Sequence, residues 1–179
     1  MKLDDPELVR REYESERGLT LRRTIWEIDV DARVGDVQDL DFADETFDCV
    51  LAAWMLYHVP DLDRGLAELA RVLRPGGRLV AVTNGATNLS ELWSLLGAEK
   101  TPQYTFGREN AAESLERHFA RVEKRGITGS LTIPTRADAH RYVSATLIQP
   151  ELADGLPRDV WPLEVSRAHC VLVATKAAA

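Results

Sequence analysis

Only two cysteines occur in the 179 residues, Cys49 and Cys170, which excludes a disulfide framework and a thiolate-rich metal site. Each lies in an apolar run, Cys49-Val50-Leu51 and Cys170-Val171-Leu172, so both are expected to be small buried hydrophobes, a usage that suits a reducing cytoplasm. Positive charge is in deficit: 22 basic against 29 acidic residues leave a net charge of −7. No basic stripe is present to release counterions from phosphates, and non-specific nucleic-acid binding is not expected. Long apolar runs are missing as well. Charges interrupt every hydrophobic stretch before it reaches bilayer length, and residues 1–11 lack the apolar core of a secretory signal, so the expectation is a cytoplasmic protein without a membrane partner. His118, His140 and His169 share no spacing, and no metal is expected. With 45% of its residues hydrophobic, the chain can bury one core, and a single domain is the default.

Residues 5–27 are dense in charge, with sparse apolar points at Leu8, Val9, Tyr13, Leu21, Ile25 and Trp26, a pattern that predicts two short amphipathic helices. Residues 30–35 alternate at Val30, Ala32 and Val34 and stop at Gly35-Asp36, predicting a short strand. Phe47 to Ala53 is an almost unbroken apolar run of strand length, expected to be a central parallel strand covered on both faces. Between residues 60 and 73, Leu62, Leu66, Leu69 and Leu73 recur at helical spacing, with Asp61 at the N-terminal end and Arg71 and Arg74 at the other. Arg74-Pro75-Gly76-Gly77 stops that helix, and residues 78–83 follow as a second buried strand, completing a βαβ unit.

Further helices are predicted at residues 89–96, 108–117 and 135–147. Residues 119–133 read as one bent strand or two strands broken at Gly126 and Gly129, and residues 150–163, with three of the eight prolines, as a long loop holding one helical turn. Residues 169–175 form the last strand and suggest an antiparallel hairpin at the sheet edge.

Three segments in fixed order carry further information. They are Gly35-Asp36-Val37-Gln38-Asp39-Leu40-Asp41-Phe42, then Phe47-Asp48-Cys49-Val50-Leu51-Ala52-Ala53-Trp54-Met55-Leu56-Tyr57-His58-Val59-Pro60-Asp61, then Leu69 to Leu79 reading L-A-R-V-L-R-P-G-G-R-L. Together they resemble the type 11 group of class I S-adenosylmethionine (SAM)-dependent methyltransferases, in which a G-D-x-x-x-L-P-F loop, an F-D-x-V strand and an L-x-P-G-G turn follow one another. The resemblance is close over residues 32–83 and looser beyond. It implies an α/β fold with a Rossmann-like, mostly parallel sheet and an antiparallel edge hairpin, SAM as cofactor, and methyl transfer to a small-molecule substrate.

By the same resemblance, Asp36 would accept a hydrogen bond from the adenine amino group and Val37 would pack on the ring. Such a carboxylate stands at the carboxyl end of a strand, where open α/β sheets bind ligands. The alternative for Asp36 is that of a turn former after a strand. Ala53 and Trp54 map onto residues lining the cofactor, and Tyr57 and His58 onto the substrate side. His58 is the candidate general base, its ordinary pKa lying near neutrality; the alternative is a histidine that packs or caps before the helix. Trp54, Met55, Leu56 and Tyr57 are read either as a substrate wall or as core. Pro75, Gly76 and Gly77 are carried over as scaffold.

The sequence departs from the family pattern in two respects, the glycine-rich loop and the second strand whose terminal acidic residue holds the ribose hydroxyls. Its eleven glycines form no G-x-G, the element whose backbone amides face the methionine end of the cofactor. The expectation is a single incomplete domain over residues 1–179, with an N-terminal helical segment at 1–27, core strands and the crossover helix at 28–83, and C-terminal helices and edge strands at 84–179. In the family's strand order, 3-2-1-4-5-7-6, two strands would then be lacking between residues 30–35 and Phe47–Ala53. Those flanking strands are expected to pair directly, or else to leave an open edge that forms a homodimer. An inactive remnant acting through protein contacts is the alternative to an active enzyme.

Overall fold

A computed structural model of the protein describes residues 33–97, 104–146 and 150–179. In chain order the elements are β1 (Phe47–Ala53), α1 (Leu62–Val72), β2 (Leu73–Asn84), α2 (Ser90–Leu95), α3 (Ala111–Glu116), β3 (Arg121–Ile133), α4 (Arg136–Ser144) and β4 (Leu163–Thr175). Short 3-10 turns occupy Leu56–His58 and Pro150–Gly155. The four strands form one sheet in the order β1-β2-β4-β3, with β1 parallel to β2 and the β2–β4 and β4–β3 pairs antiparallel. This is the 4-5-7-6 end of the expected strand order, including its antiparallel hairpin.

Helix α1 follows from its sequence. The Asp61 carboxylate accepts a hydrogen bond from the Arg64 amide at 3.1 Å and caps the N-terminus, while Leu66, Leu69 and Val72 are buried against the sheet. Proline at position 75 has no amide to continue the helix, and the chain turns extended at Leu73. Strand β2 begins there, five residues before the predicted start. Leu73 pairs with Phe47 and Arg78 with Cys49, so residues 74–77 bulge out of the ladder, with Gly76 at φ 75° in the left-handed region. The Arg-Pro-Gly-Gly turn is thus absorbed into the strand.

The main core lies on the face of the sheet covered by α1 and α3, where Leu66, Leu79, Ala81, Leu115, Cys170 and Leu172 are buried together. A second cluster, with Leu89, Leu92, Ile133, Ala139, Val143 and Val165, sits where α2 and α4 meet the far ends of β3 and β4. Loss of a fully buried side chain from either cluster costs transfer free energy and leaves a cavity.

Several expectations are corrected. Among the described residues β1 is the outer strand of the sheet, not a central one. Its period of two gives Ala52 to the core, whereas Leu51 is 67% exposed and Cys49 is exposed, so Cys49 is not the buried hydrophobe its apolar neighbours suggested. Residues 33–35 form no strand, so pairing with β1 is not found among the described residues; 30–32 and the predicted helices of 5–27 lie outside them. Gly126 and Gly129 do not break β3, which pairs with β4 without interruption from Arg121 to Ile133. Helix α3 starts three residues late because Asn110 caps the preceding turn, its Oδ1 accepting from the Gly107 amide at 2.7 Å. Strand β4 starts six residues before residue 169 because its antiparallel partner β3 supplies hydrogen bonds for that length.

Candidate functional site

The carboxyl ends of β1 and β2 carry a cluster of aromatic and amide side chains. Trp54 follows β1 directly; its amide donates to the Val82 carbonyl at 2.8 Å, and its φ of 53° lies in the left-handed region, which is unfavourable for a bulky side chain. Its indole is 48% exposed. The next turn carries Tyr57, buried, and His58, half-buried, with their rings 4.5 Å apart. Tyr57 packs on Tyr104 at 5.1 Å between centroids, and its carbonyl accepts from the Thr105 hydroxyl at 3.3 Å.

Asn84 ends β2 and stands opposite His169 in the β2–β4 register. Its Oδ1 lies 3.0 Å from His169 Nδ1, and the His169 ring meets the Trp54 ring edge-on at 6.0 Å. Burial pushes the Tyr104 hydroxyl up to about 12. Burial, followed by the charge of Arg167, lowers the His169 pKa from its ordinary value. Of these residues Trp54, Tyr57 and His58 were legible as candidates. Asn84, Tyr104 and His169 were missed; the one sequence signal was a polar residue ending the apolar run of β2.

Asp36 and Val37 occupy the loop before β1, at the N-terminal end of α1. Val37 is half-buried and lies beside Gly65 of α1, where an added Cβ would stand at an ordinary packing distance of 3.5 Å from Val37 Cγ1 and more tightly, 3.1 Å, from Val59 Cγ1. Gln38 Oε1 accepts from the Asp61 amide at 2.9 Å, fixing the loop to the start of α1. The Asp36 carboxylate accepts from the Gln38 amide at 2.9 Å and from its side-chain amide at 3.1 Å, which is the turn-forming role, yet it stays exposed and keeps acceptor capacity. Further along, Glu68 takes the Leu40 amide at 3.0 Å, while Arg71 bonds Glu68 and Asp44 and the Leu40 and Phe42 carbonyls. The Arg71 guanidinium holds the Glu68 carboxyl down to about 2. Ala53 is half-buried at the end of β1. The aromatic contacts therefore run from Trp54 toward β4, whereas Asp36 and Val37 are anchored on α1.

Among the described residues no three His, Cys, Asp or Glu side chains gather as a metal site, and no helix is long and apolar enough to cross a membrane.

A mixed sheet of this order, with helices packed on it, is the arrangement of a Rossmann-like α/β protein, a class that binds ligands at the carboxyl ends of its strands. Residues 7–81 match a family model described as a methyltransferase domain. The chain is 42% identical over 53 residues to the demethylmenaquinone methyltransferase of Desulfitobacterium hafniense, which spans 30% of this chain and 21% of that protein. It is 33% identical over 97 residues to the methyltransferase GfsG of Streptomyces halstedii, 52% of this chain and 33% of that protein. These matches thus span about a fifth to a third of the curated relatives' lengths. Among solved structures, a SAM-dependent methyltransferase of Thermotoga maritima shares the fold with a TM-score of 0.53 at 19% identity, covering 90% of this chain and 70% of that one. The family match over residues 7–81 and the shared fold make the chain similar to class I methyltransferases of the type 11 group.

That similarity implies SAM as cofactor. An exposed carboxylate at Asp36 beside a branched apolar side chain at Val37 has the chemistry to meet the adenine end of such a molecule. The glycine-spaced amides that would receive its methionine end are not in the sequence.

Proposed function

We propose that this chain serves methyl transfer from SAM to a small-molecule acceptor, with Asp36 and Val37 on the adenine and the acceptor seated beside Trp54, Tyr57 and His58. The observation that carries the reading is the carboxyl end of β1, where a family-matched strand delivers a strained, half-exposed Trp54 to the place where open α/β sheets take ligands. When bound, the cofactor supplies an electrophilic methyl group on sulfur. The protein's part is to hold and orient the acceptor, because alignment of reactants supplies much of the rate gain in a direct displacement. A clamped loop suits that role, and Gln38, Glu68 and Arg71 fix residues 36–44 to α1 before any ligand arrives. Residence in the cytoplasm is part of the same proposal, and an exposed thiol at Cys49 is compatible with a reducing compartment.

Calorimetric titration with S-adenosylhomocysteine tests the reading. The folded chain is expected to bind it, and Asp36→Ala to weaken binding about ten- to a hundredfold, as loss of a hydrogen bond to a charged group of about 1.5 to 3 kcal/mol implies. No heat at millimolar ligand from a chain shown to be folded would defeat it.

A further inference from the structure

We propose that His169 takes the proton from the methyl acceptor through Nε2, with Asn84 as the residue that positions it, the acceptor being a planar molecule with an O–H or N–H to lose. The proposal rests on the methyltransferase reading above and assigns the base of that same site.

Strand register places the ring. His169 lies across from Asn84, the last residue of β2, so an imidazole from an antiparallel strand is delivered to the carboxyl end of the parallel pair. Asn84 then decides its tautomer. An amide oxygen only accepts, so Oδ1 at 3.0 Å requires a proton on Nδ1, and the lone pair is left on Nε2. Burial and the neighbouring Arg167 keep the ring neutral at pH 7, the form a base requires.

The surroundings decide what the base would meet. Its neighbours are Asn84 on β2, Trp54 at the end of β1, Ile127 opposite on β3, and Arg167 on its own strand. Asn84, Trp54 and Ile127 are uncharged, and Trp54 offers a half-exposed flat face against which a planar acceptor can lie. The other histidines are placed differently. His118 pairs with Asp63 at 2.9 Å and His140 with Asp154 at 3.2 Å, while the His58 ring packs tilted against Tyr57. In the proposed step the acceptor's O–H or N–H proton passes to Nε2 and its bonding pair stays on the acceptor atom, which becomes the nucleophile. The resulting imidazolium returns the proton to water.

Nitrogen-15 NMR of the full chain labelled in histidine, with S-adenosylhomocysteine titrated into the same samples, tests this together with diethyl pyrocarbonate modification mapped by mass spectrometry. At pH 7 His169 is expected as the Nδ1–H tautomer and as a modified residue. Asn84→Leu is expected to mix the tautomers, and Asn84→Asp to keep Nδ1–H while raising the titration midpoint by about one unit or more. His169→Gln is expected to leave S-adenosylhomocysteine binding within about twofold of wild type. A proton on Nε2, a tautomer indifferent to Asn84→Leu, or a His169 inert to the reagent overturns the assignment even where the ligand binds. Absence of ligand binding with tautomer and reactivity intact overturns instead the methyltransferase reading beneath it.

Discussion

Replacement of Gly77 by alanine should cost more stability than replacement of its neighbour Gly76, and the two costs have different origins. A Cβ on Gly77 would stand 2.8 Å from the Arg74 carbonyl oxygen and 3.2 Å from that of Asp48, both backbone atoms that cannot swing aside. The Gly77 carbonyl also accepts from the Lys176 amide at 2.9 Å, so any shift disturbs the adjoining end of β4. Overpacking of this kind costs about 1 to 3 kcal/mol, and contact with two carbonyls places Gly77→Ala in the upper half of that range. A Cβ on Gly76 meets nothing within 4 Å, but φ of 75° is left-handed, so Gly76→Ala carries only a conformational penalty of about 1 kcal/mol. For a chain of this size each kcal/mol lowers Tm by about 2 to 4 °C, which gives roughly 4 to 12 °C for Gly77→Ala and 2 to 4 °C for Gly76→Ala. Circular-dichroism melts with parallel urea titrations measure both. A Gly76→Ala loss equal to or larger than that of Gly77→Ala would refute the argument from close approach.

Glu68 has its folded pKa depressed to about 2 from 4.5, so its contribution is complete above 4.5 and lost as pH falls through 2; Glu68→Gln should flatten the urea midpoint between those values. Leu66, fully buried between α1 and the sheet, should cost about 2 to 5 kcal/mol when changed to alanine, read from chemical denaturation. A thiol reagent should label Cys49 rapidly in the native protein and Cys170 only after unfolding, since the second thiol is buried and its pKa raised chiefly by desolvation. We further propose that the side of β1 left unpaired among the described residues supports association between copies, in which case Leu51→Lys should shift the sedimentation coefficient toward that of a monomer.

Much of the order along the chain was readable locally. The start of β1 at Phe47 was readable because an apolar run follows the polar Asp44-Glu45-Thr46 directly in sequence. Helix α1 was legible from leucine spacing and from Asp61, whose capping contact spans only three residues. The loop holding Asp36 was legible as a turn, and its side-chain contacts confirm that role. The site was less accessible: Trp54, Tyr57 and His58 follow β1 directly, whereas Tyr104 is joined to Tyr57 across 47 positions and His169 to Asn84 across 85. Nothing in the spacing of the four histidines distinguished His169.

The sequence by itself determined which segments become helix and strand and which family pattern they follow, because periodicity, capping and the Pro-Gly-Gly stop act over a few residues. Only the tertiary structure decided that Leu51 and Cys49 face away from the core, that residues 74–77 bulge within β2, and that an amide at the end of one strand holds a histidine on another. Those outcomes depend on sheet order and register, which are set by long-range packing.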